Sequence, residues 1–181
     1  MPTMPTVEEL SRRIDALETR VRAAVDVQAI HRLKARYAQL VDARYLPRGA
    51  GVVDRPKLEA AARAIAETFT PDGVWDGGPG LGLCRGREEI FKRMCEPTLS
   101  FSWHFFLKPH IEVEGDRAHG TWDILSPCTT GEGRAMWMAG VEHDQYARVD
   151  GVWLHTHMKL DVVFMAPHDR GWAKRRDADS A

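Results

Sequence analysis

Apolar residues in the first forty positions fall into two helical registers. Leu10, Ile14, Leu17, Val21 and Ala24 recur at alternating steps of four and three, a coiled-coil-like seam about two heptads long. A lead-in helix packed on its own domain or on a dimer mate is expected there. A second register runs from Val27 to Asp42, with Ile30, Leu33, Tyr37, Leu40 and Val41 sharing one face. Pro47, Gly49, Gly51 and Pro56 then mark a loop, and the Ala-rich stretch Lys57 to Phe69 predicts a helix ended by a turn at Thr70 to Gly73. A short strand at Val74 to Asp76, a glycine-rich loop and a helix from near Arg87 to before Pro97 complete this half.

From Ser100 the texture changes to strands. SFSWHFFLK, HIEVEGDRAHGTWDILS with a turn at Glu114 to Asp116, RAMWMAGVEHDQYARV and VWLHTHMKLDVVF are long, consecutive and turn-linked. Such an order predicts an α+β domain whose antiparallel sheet packs one face on the helices. In the last strand Leu154, Thr156, Met158, Leu160, Val162 and Phe164 form the expected core side; Trp153, His155, His157, Lys159 and Asp161 form the expected outer side. The expected organisation is an N-terminal helical extension over 1–20, an α+β domain over 21–172 and a disordered tail over 173–181.

Composition adds mainly exclusions. The chain has 181 residues, 44% of them hydrophobic and 28% charged, and its 25 basic and 26 acidic residues leave no field that draws in nucleic acid or a membrane surface. Cys84, Cys95 and Cys128 lack CxxC spacing, so free thiols in a reducing compartment are expected. No apolar stretch or N-terminal h-region suggests a span or a secretory signal, and the expected location is cytoplasmic.

The chemistry begins at Ile30–Asp42. Asp42 places a negative charge at a helix C-terminus, which the macrodipole disfavours by up to about 1 kcal/mol, so it needs a partner. Tyr37 stands five residues earlier, about 500° around the helix, and shares a pocket mouth with Asp42 only loosely. His104 lies among Phe101, Trp103, Phe105, Phe106 and Leu107; a single histidine in such a strand is more often a satisfied core residue. His155 and His157 form HxH on one strand face, a spacing metals use, although the solvent or dimer side accounts for it more simply. The glycines of WDGGPGLG do not open a helix after a strand in the dinucleotide pattern, and a pocket rim is expected instead.

The order helix, loop, helix, DGVWDGG, GREEI, helix, then a meander carrying VEGDRAHG and YARVDGVW resembles the SnoaL-like branch of the nuclear transport factor 2-like superfamily. That superfamily includes ketosteroid isomerases, scytalone dehydratase, bile acid 7-alpha-dehydratase and hexachlorocyclohexane dehydrochlorinase. The likeness spans Val21 to Trp172. It implies a cone-shaped curved antiparallel sheet wrapped around three helices, with the N-terminal helix extra, a deep apolar pocket and a homodimer or higher oligomer. In the lyase members an aspartate ending the first core helix orients a histidine that abstracts a substrate proton, and Asp42 and His104 stand at those positions. Neutral imidazole suits this task near pH 7, and a positioned base contributes roughly 10²- to 10⁴-fold in rate. Tyr37 is the implied hydroxyl donor and Asp123 the nearest candidate for a second acid. The arginine such members carry on the last strand is missing, with His155, His157 and Lys159 in its place.

The resulting expectation is a cofactor-independent lyase or isomerase, foremost a dehydratase, acting on a hydrophobic polycyclic or aromatic molecule, with no metal. Trp75, Phe106, Trp122, Met138, His157 and Lys159 are the expected substrate-binding residues. A non-catalytic binding or accessory protein using the same pocket is the alternative, and the Asp42–His104 geometry discriminates between them.

Overall fold

The computed structural model describes residues 4–169; the expected tail at 173–181 and the last residues of the expected domain lie outside the described residues. Helix α1, Val7–Asp42, is continuous, so both apolar registers belong to one helix and residues 20 and 21 are consecutive positions within it. Thr6 opens it with a capping box, its hydroxyl accepting the Glu9 N–H at 3.2 Å while the Glu9 carboxylate accepts the Thr6 N–H at 2.9 Å. Leu10, Ile14, Leu17 and Val21 are 44% to 60% exposed, so the lead-in turns do not pack on their own domain. The helix is tied down from Asp26, which accepts the Trp153 indole N–H at 3.0 Å and an Arg148 N–H at 2.6 Å. Ile30, Tyr37 and Val41 then enter the core.

Helix α2, Arg55–Ala66, is capped by Asp54, whose carboxylate accepts the Lys57 N–H. The expected turn at Thr70 to Gly73 lies instead inside strand β1, Phe69–Asp76. There the pairing shifts between Phe69 and Val74, and Pro71, which has no N–H to offer a ladder, is tolerated at the irregularity. A single helical turn α3, Gly78–Leu81, strand β2, Leu83–Arg85, and helix α4, Gly86–Met94, follow.

The remaining strands are β3, Leu99–Ser102; β4, Phe105–Glu114; β5, Arg117–Thr130; β6, Ala135–Val149; and β7, Val152–Pro167. They form a curved sheet in the order β2-β1-β7-β6-β5-β3, with β4 continuing along the β5 edge that β3 begins. Every pairing is antiparallel except β1 with β7, which is parallel. The helices pack Tyr37, Val41, Ile65 and Ile90 into one core cluster with Phe69 and Met158 of the sheet, and Ile30 into a second with Trp122, Tyr146 and Trp153.

Two irregularities alter the expected strands. SFSWHFFLK is not one strand: β3 stops at Ser102, opposite Cys128, and β4 starts at Phe105, opposite Leu125. The β5 segment facing the gap contains Pro127, which cannot donate to the ladder, although its carbonyl still accepts the Trp103 N–H at 3.1 Å. In β7 the pairing with β6 shifts at Thr156, between His155 opposite Tyr146 and His157 opposite Gln145. That bulge inverts the alternation, so Trp153 and His155 are buried at 4% and 0%, as are Met158 and Leu160 beyond it. Trp153 and His155 are therefore core residues, not part of an outer face.

Candidate active site

The strand break frees His104 from the ladder, and Asp42 takes up what the ladder leaves. The Asp42 carboxylate, 9% exposed, accepts the His104 backbone N–H at 3.1 and 3.3 Å and lies 2.7 Å from the imidazole Nδ1. These contacts supply the partner that a carboxylate at a helix C-terminus requires. With Nδ1–H donated to the carboxylate, Nε2 is the basic nitrogen. It lies 3.5 Å from the Ser102 hydroxyl, which is itself 2.9 Å from that of Ser126. His104, Ser102 and Ser126 all border one cavity of about 730 Å³, within the usual range for small-molecule sites.

Tyr37 also borders this cavity, one and a half turns before Asp42 on α1. Its hydroxyl oxygen accepts the Trp75 indole N–H at 3.0 Å, and the hydroxyl proton has no acceptor among the described residues. Burial foremost, with Glu142 adding to it, pushes the phenol far above its ordinary pKa, so it remains a donor at neutral pH. Gly77 allows this arrangement, since a Cβ there would lie 2.5 Å from both the Trp75 ring and Leu81. The glycine-rich loop forms cavity wall through Gly77, Pro79, Gly80 and Leu81.

A buried charge cluster lies beside the pair. Lys34, 1% exposed, donates to Asp144 at 2.7 Å and to Glu142, and its ammonium sits 4.2 Å from the Phe106 ring centroid. The same Asp144 oxygen accepts the Tyr146 hydroxyl at 2.8 Å, and Tyr146 in turn accepts the Trp122 indole N–H at 3.0 Å. Burial pulls the Lys34 ammonium down, but the two carboxylates outweigh it and hold its pKa above the ordinary value. Glu142 borders the cavity, and burial with the charge of Asp144 pushes its pKa up against the pull of Lys34 and, more weakly, of His104. One ammonium faces two carboxylates, so burial and this excess of negative charge together account for the upward push on Glu142.

Of the expected substrate contacts, Trp75 and Met138 line the cavity. Trp122 points inward but is committed to Tyr146 and the second core cluster, away from the cavity wall. Phe106 stacks at 15° on His104, supporting the imidazole without bordering the cavity. Asp123 is excluded as a second acid: its neighbours Ile124 and Trp122 take the inner face of β5, and its carboxylate pairs with Lys108 on the outside. Lys159 is turned outward onto Asp161, at 2.8 Å, and His157 does not reach the cavity, because the Thr156 bulge brings Met158 and Leu160 inward instead. His155 is sealed among the rings of Tyr37, Phe69 and Tyr146, beside the Thr68 carbonyl oxygen at 3.1 Å from Nδ1. Among the described residues no group of three or more His, Cys, Asp or Glu side chains is placed to hold a metal, and no helix is long and apolar enough to cross a membrane.

Glu142, Arg44, Tyr45 and Arg93 border the cavity without having been singled out from the sequence. Lys34 carried the usable signal: it lies on the buried stripe between Ile30 and Tyr37, where a cation needs buried counter-charges, and Glu142 and Asp144 share one side of β6 with Tyr146.

This architecture and the sequence together place the chain in a family. The SnoaL-like domain matches over residues 22–159, and the protein belongs to that family. Solved structures with the same fold include hexachlorocyclohexane dehydrochlorinase LinA-type3 from Novosphingobium barchaimii, 21% identical over 86% of this chain and 93% of that one, with a TM-score of 0.62. A scytalone dehydratase-like protein from Novosphingobium aromaticivorans is 18% identical over 79% of this chain and 87% of its own, at a TM-score of 0.64. A nuclear transport factor 2-like protein with a cystatin-like fold from the same organism is 20% identical over 89% and 92% of the two chains, at 0.59. No curated protein matches the sequence significantly.

Proposed function

We propose that the cavity is the active site of a lyase, foremost a dehydratase, that acts on a hydrophobic polycyclic or aromatic small molecule. The observation that carries this reading is the Asp42–His104 pair at the cavity wall, with Nδ1 engaged and Nε2 on the side of Ser102 and the cavity. His104 Nε2 removes a proton from a substrate carbon, the C–H electrons become the new C=C bond, and the C–O bond to the leaving hydroxyl breaks toward oxygen. Asp42 holds the tautomer and stabilises the imidazolium that forms. Tyr37 donates its hydroxyl proton in a hydrogen bond to a substrate carbonyl, and Glu142 protonates the departing oxygen. A dehydrochlorinase and a dehydratase-like protein among the structural neighbours support elimination over isomerisation.

Mass spectrometry of a small molecule retained through purification, followed by incubation of that compound with fresh enzyme, tests the reading. Loss of 18 mass units from an apolar cyclic alcohol, the mass of water, is the expected result. A retained compound that the enzyme leaves unchanged, and that no dehydrated product displaces, would favour a binding protein instead.

A further inference from the structure

The charged groups that border the cavity are unequally satisfied. The carboxylates that border the cavity are each paired with an ammonium, Glu142 with Lys34 and Asp161 with Lys159 at 2.8 Å, while Asp42 is engaged by His104. The two cavity guanidiniums, Arg44 and Arg93, have no carboxylate within 4.0 Å among the described residues. Arg44 is only 8% exposed, and a buried charge without a counter-ion is rare because desolvation opposes it.

Their hydrogen bonds all go to backbone carbonyls near helix ends. Arg44 donates from Nε to Val41 at 3.0 Å and from Nη1 to Met94 at 3.4 Å; Arg93 donates from Nε to Leu81 at 3.2 Å and from Nη1 to Glu96 at 2.7 Å. Helix capping accounts for these bonds, which fix each guanidinium plane. A guanidinium carries five N–H donors, however, so three on each have no acceptor among the described residues. The two arginines are brought to one side of the cavity, since Arg44 reaches the carbonyl of Met94, the residue after Arg93; the Arg44 guanidinium lies 5.4 Å from the ring centroid of Tyr45, a third cavity residue, and both cations oppose the upward push of burial on its phenol.

We infer that Arg44, Arg93 and Tyr45 form an anion subsite, so that the substrate of the proposed lyase is a hydrophobic acid whose carboxylate docks there while its ring system fills the apolar remainder of the cavity. Planar guanidinium forks held at fixed orientation match a carboxylate better than a mobile ammonium does. The anchoring charge comes from the end of α1 and from α4, not from the last strand, where His155 is buried and Lys159 is turned outward onto Asp161. Positioning by this subsite sets which carbon is presented to His104.

The inference rests on reading the cavity as the substrate site, and calorimetry with 2-naphthoate and its neutral counterpart 2-naphthamide separates the two. The acid should bind at least about tenfold more tightly than the amide, with a preference that weakens as salt is raised. Arg44→Gln and Arg93→Gln should each bring the acid-to-amide ratio close to one, whereas Arg93→Lys should keep part of it. Arg93 is half-buried and its hydrogen bonds go to Leu81 and Glu96, not to α1, so its variants remain informative if Arg44→Gln fails to fold. Equal binding of acid and amide, or a ratio indifferent to Arg93→Gln, overturns the anion subsite and leaves the apolar cavity standing. Binding of neither compound overturns both.

Discussion

Asp42 holds His104 at two points, the imidazole Nδ1 at 2.7 Å and the backbone N–H at 3.1 Å. The second contact exists because the strand is broken there, and it fixes the position of the residue as well as the tautomer of its ring. Asp42→Asn should therefore lower turnover by roughly 10²-fold or more, and combining it with His104→Ala should slow the enzyme no further than His104→Ala alone. Rates of the two single variants and the double variant check this; losses that multiply would show that the residues act separately.

Lys34→Met should leave Glu142 and Asp144 buried without a cation, a loss on the order of 3–5 kcal/mol. Adding Glu142→Gln removes one of the orphaned charges and should recover part of that loss. Urea unfolding of the wild type, the single variant and the double variant measures it. An unrescued double variant would mean that packing of the Lys34 chain, not charge, is what Lys34→Met removes.

His155 provides an acid-side dependence. Burial pushes its pKa down to about 4 from an ordinary 6.5, so the folded protein holds the ring neutral while the unfolded chain protonates it. Stability from this residue is complete above about pH 6.5 and falls as the pH drops toward 4, by on the order of 3 kcal/mol. His155→Phe should flatten that limb, and unfolding free energies at pH 7 and pH 4.5 should show the difference shrink. An unchanged slope would assign the acid limb to other groups.

We propose that the chain pairs with a second copy through the first turns of α1, where Leu10, Ile14, Leu17 and Val21 remain exposed at heptad spacing. The sheet-face argument for pairing has lost Trp153 and His155, which are buried. Light scattering at micromolar concentration should give twice the 20.4 kDa chain mass, and Leu17→Glu should give the single mass. A dimer that survives deletion of residues 1–20 would move the interface to the sheet.

Much of the candidate site was legible because its key groups sit where a helix ends and a strand begins. Asp42 advertised itself as a charge at an unfavourable helix end, Tyr37 lay on the apolar register of α1 that leads into the cavity, and Trp75 was expected in the apolar lining. What stayed hidden depended on irregular pairing. One inserted residue at Thr156 exchanges the faces of β7, and strict alternation therefore assigned Trp153 and His155 to the outside, while His157 and Lys159 were drawn to the site only by the resemblance, in place of a last-strand arginine. Glu142 and Asp144 alternate with Val141 and His143, so β6 gives no sign of which face is dry. The buried position of Lys34 was the clue to their orientation, and it becomes readable only when α1 is placed against the sheet.

The central claim is that His104 removes the substrate proton. Turnover and calorimetric binding of the retained ligand or its turnover substrate, compared between the wild type and His104→Ala, test it most directly. The account predicts a rate at least about 10²-fold lower with binding changed by no more than a few-fold. A His104→Ala enzyme that binds and turns over substrate at the wild-type rate would contradict it.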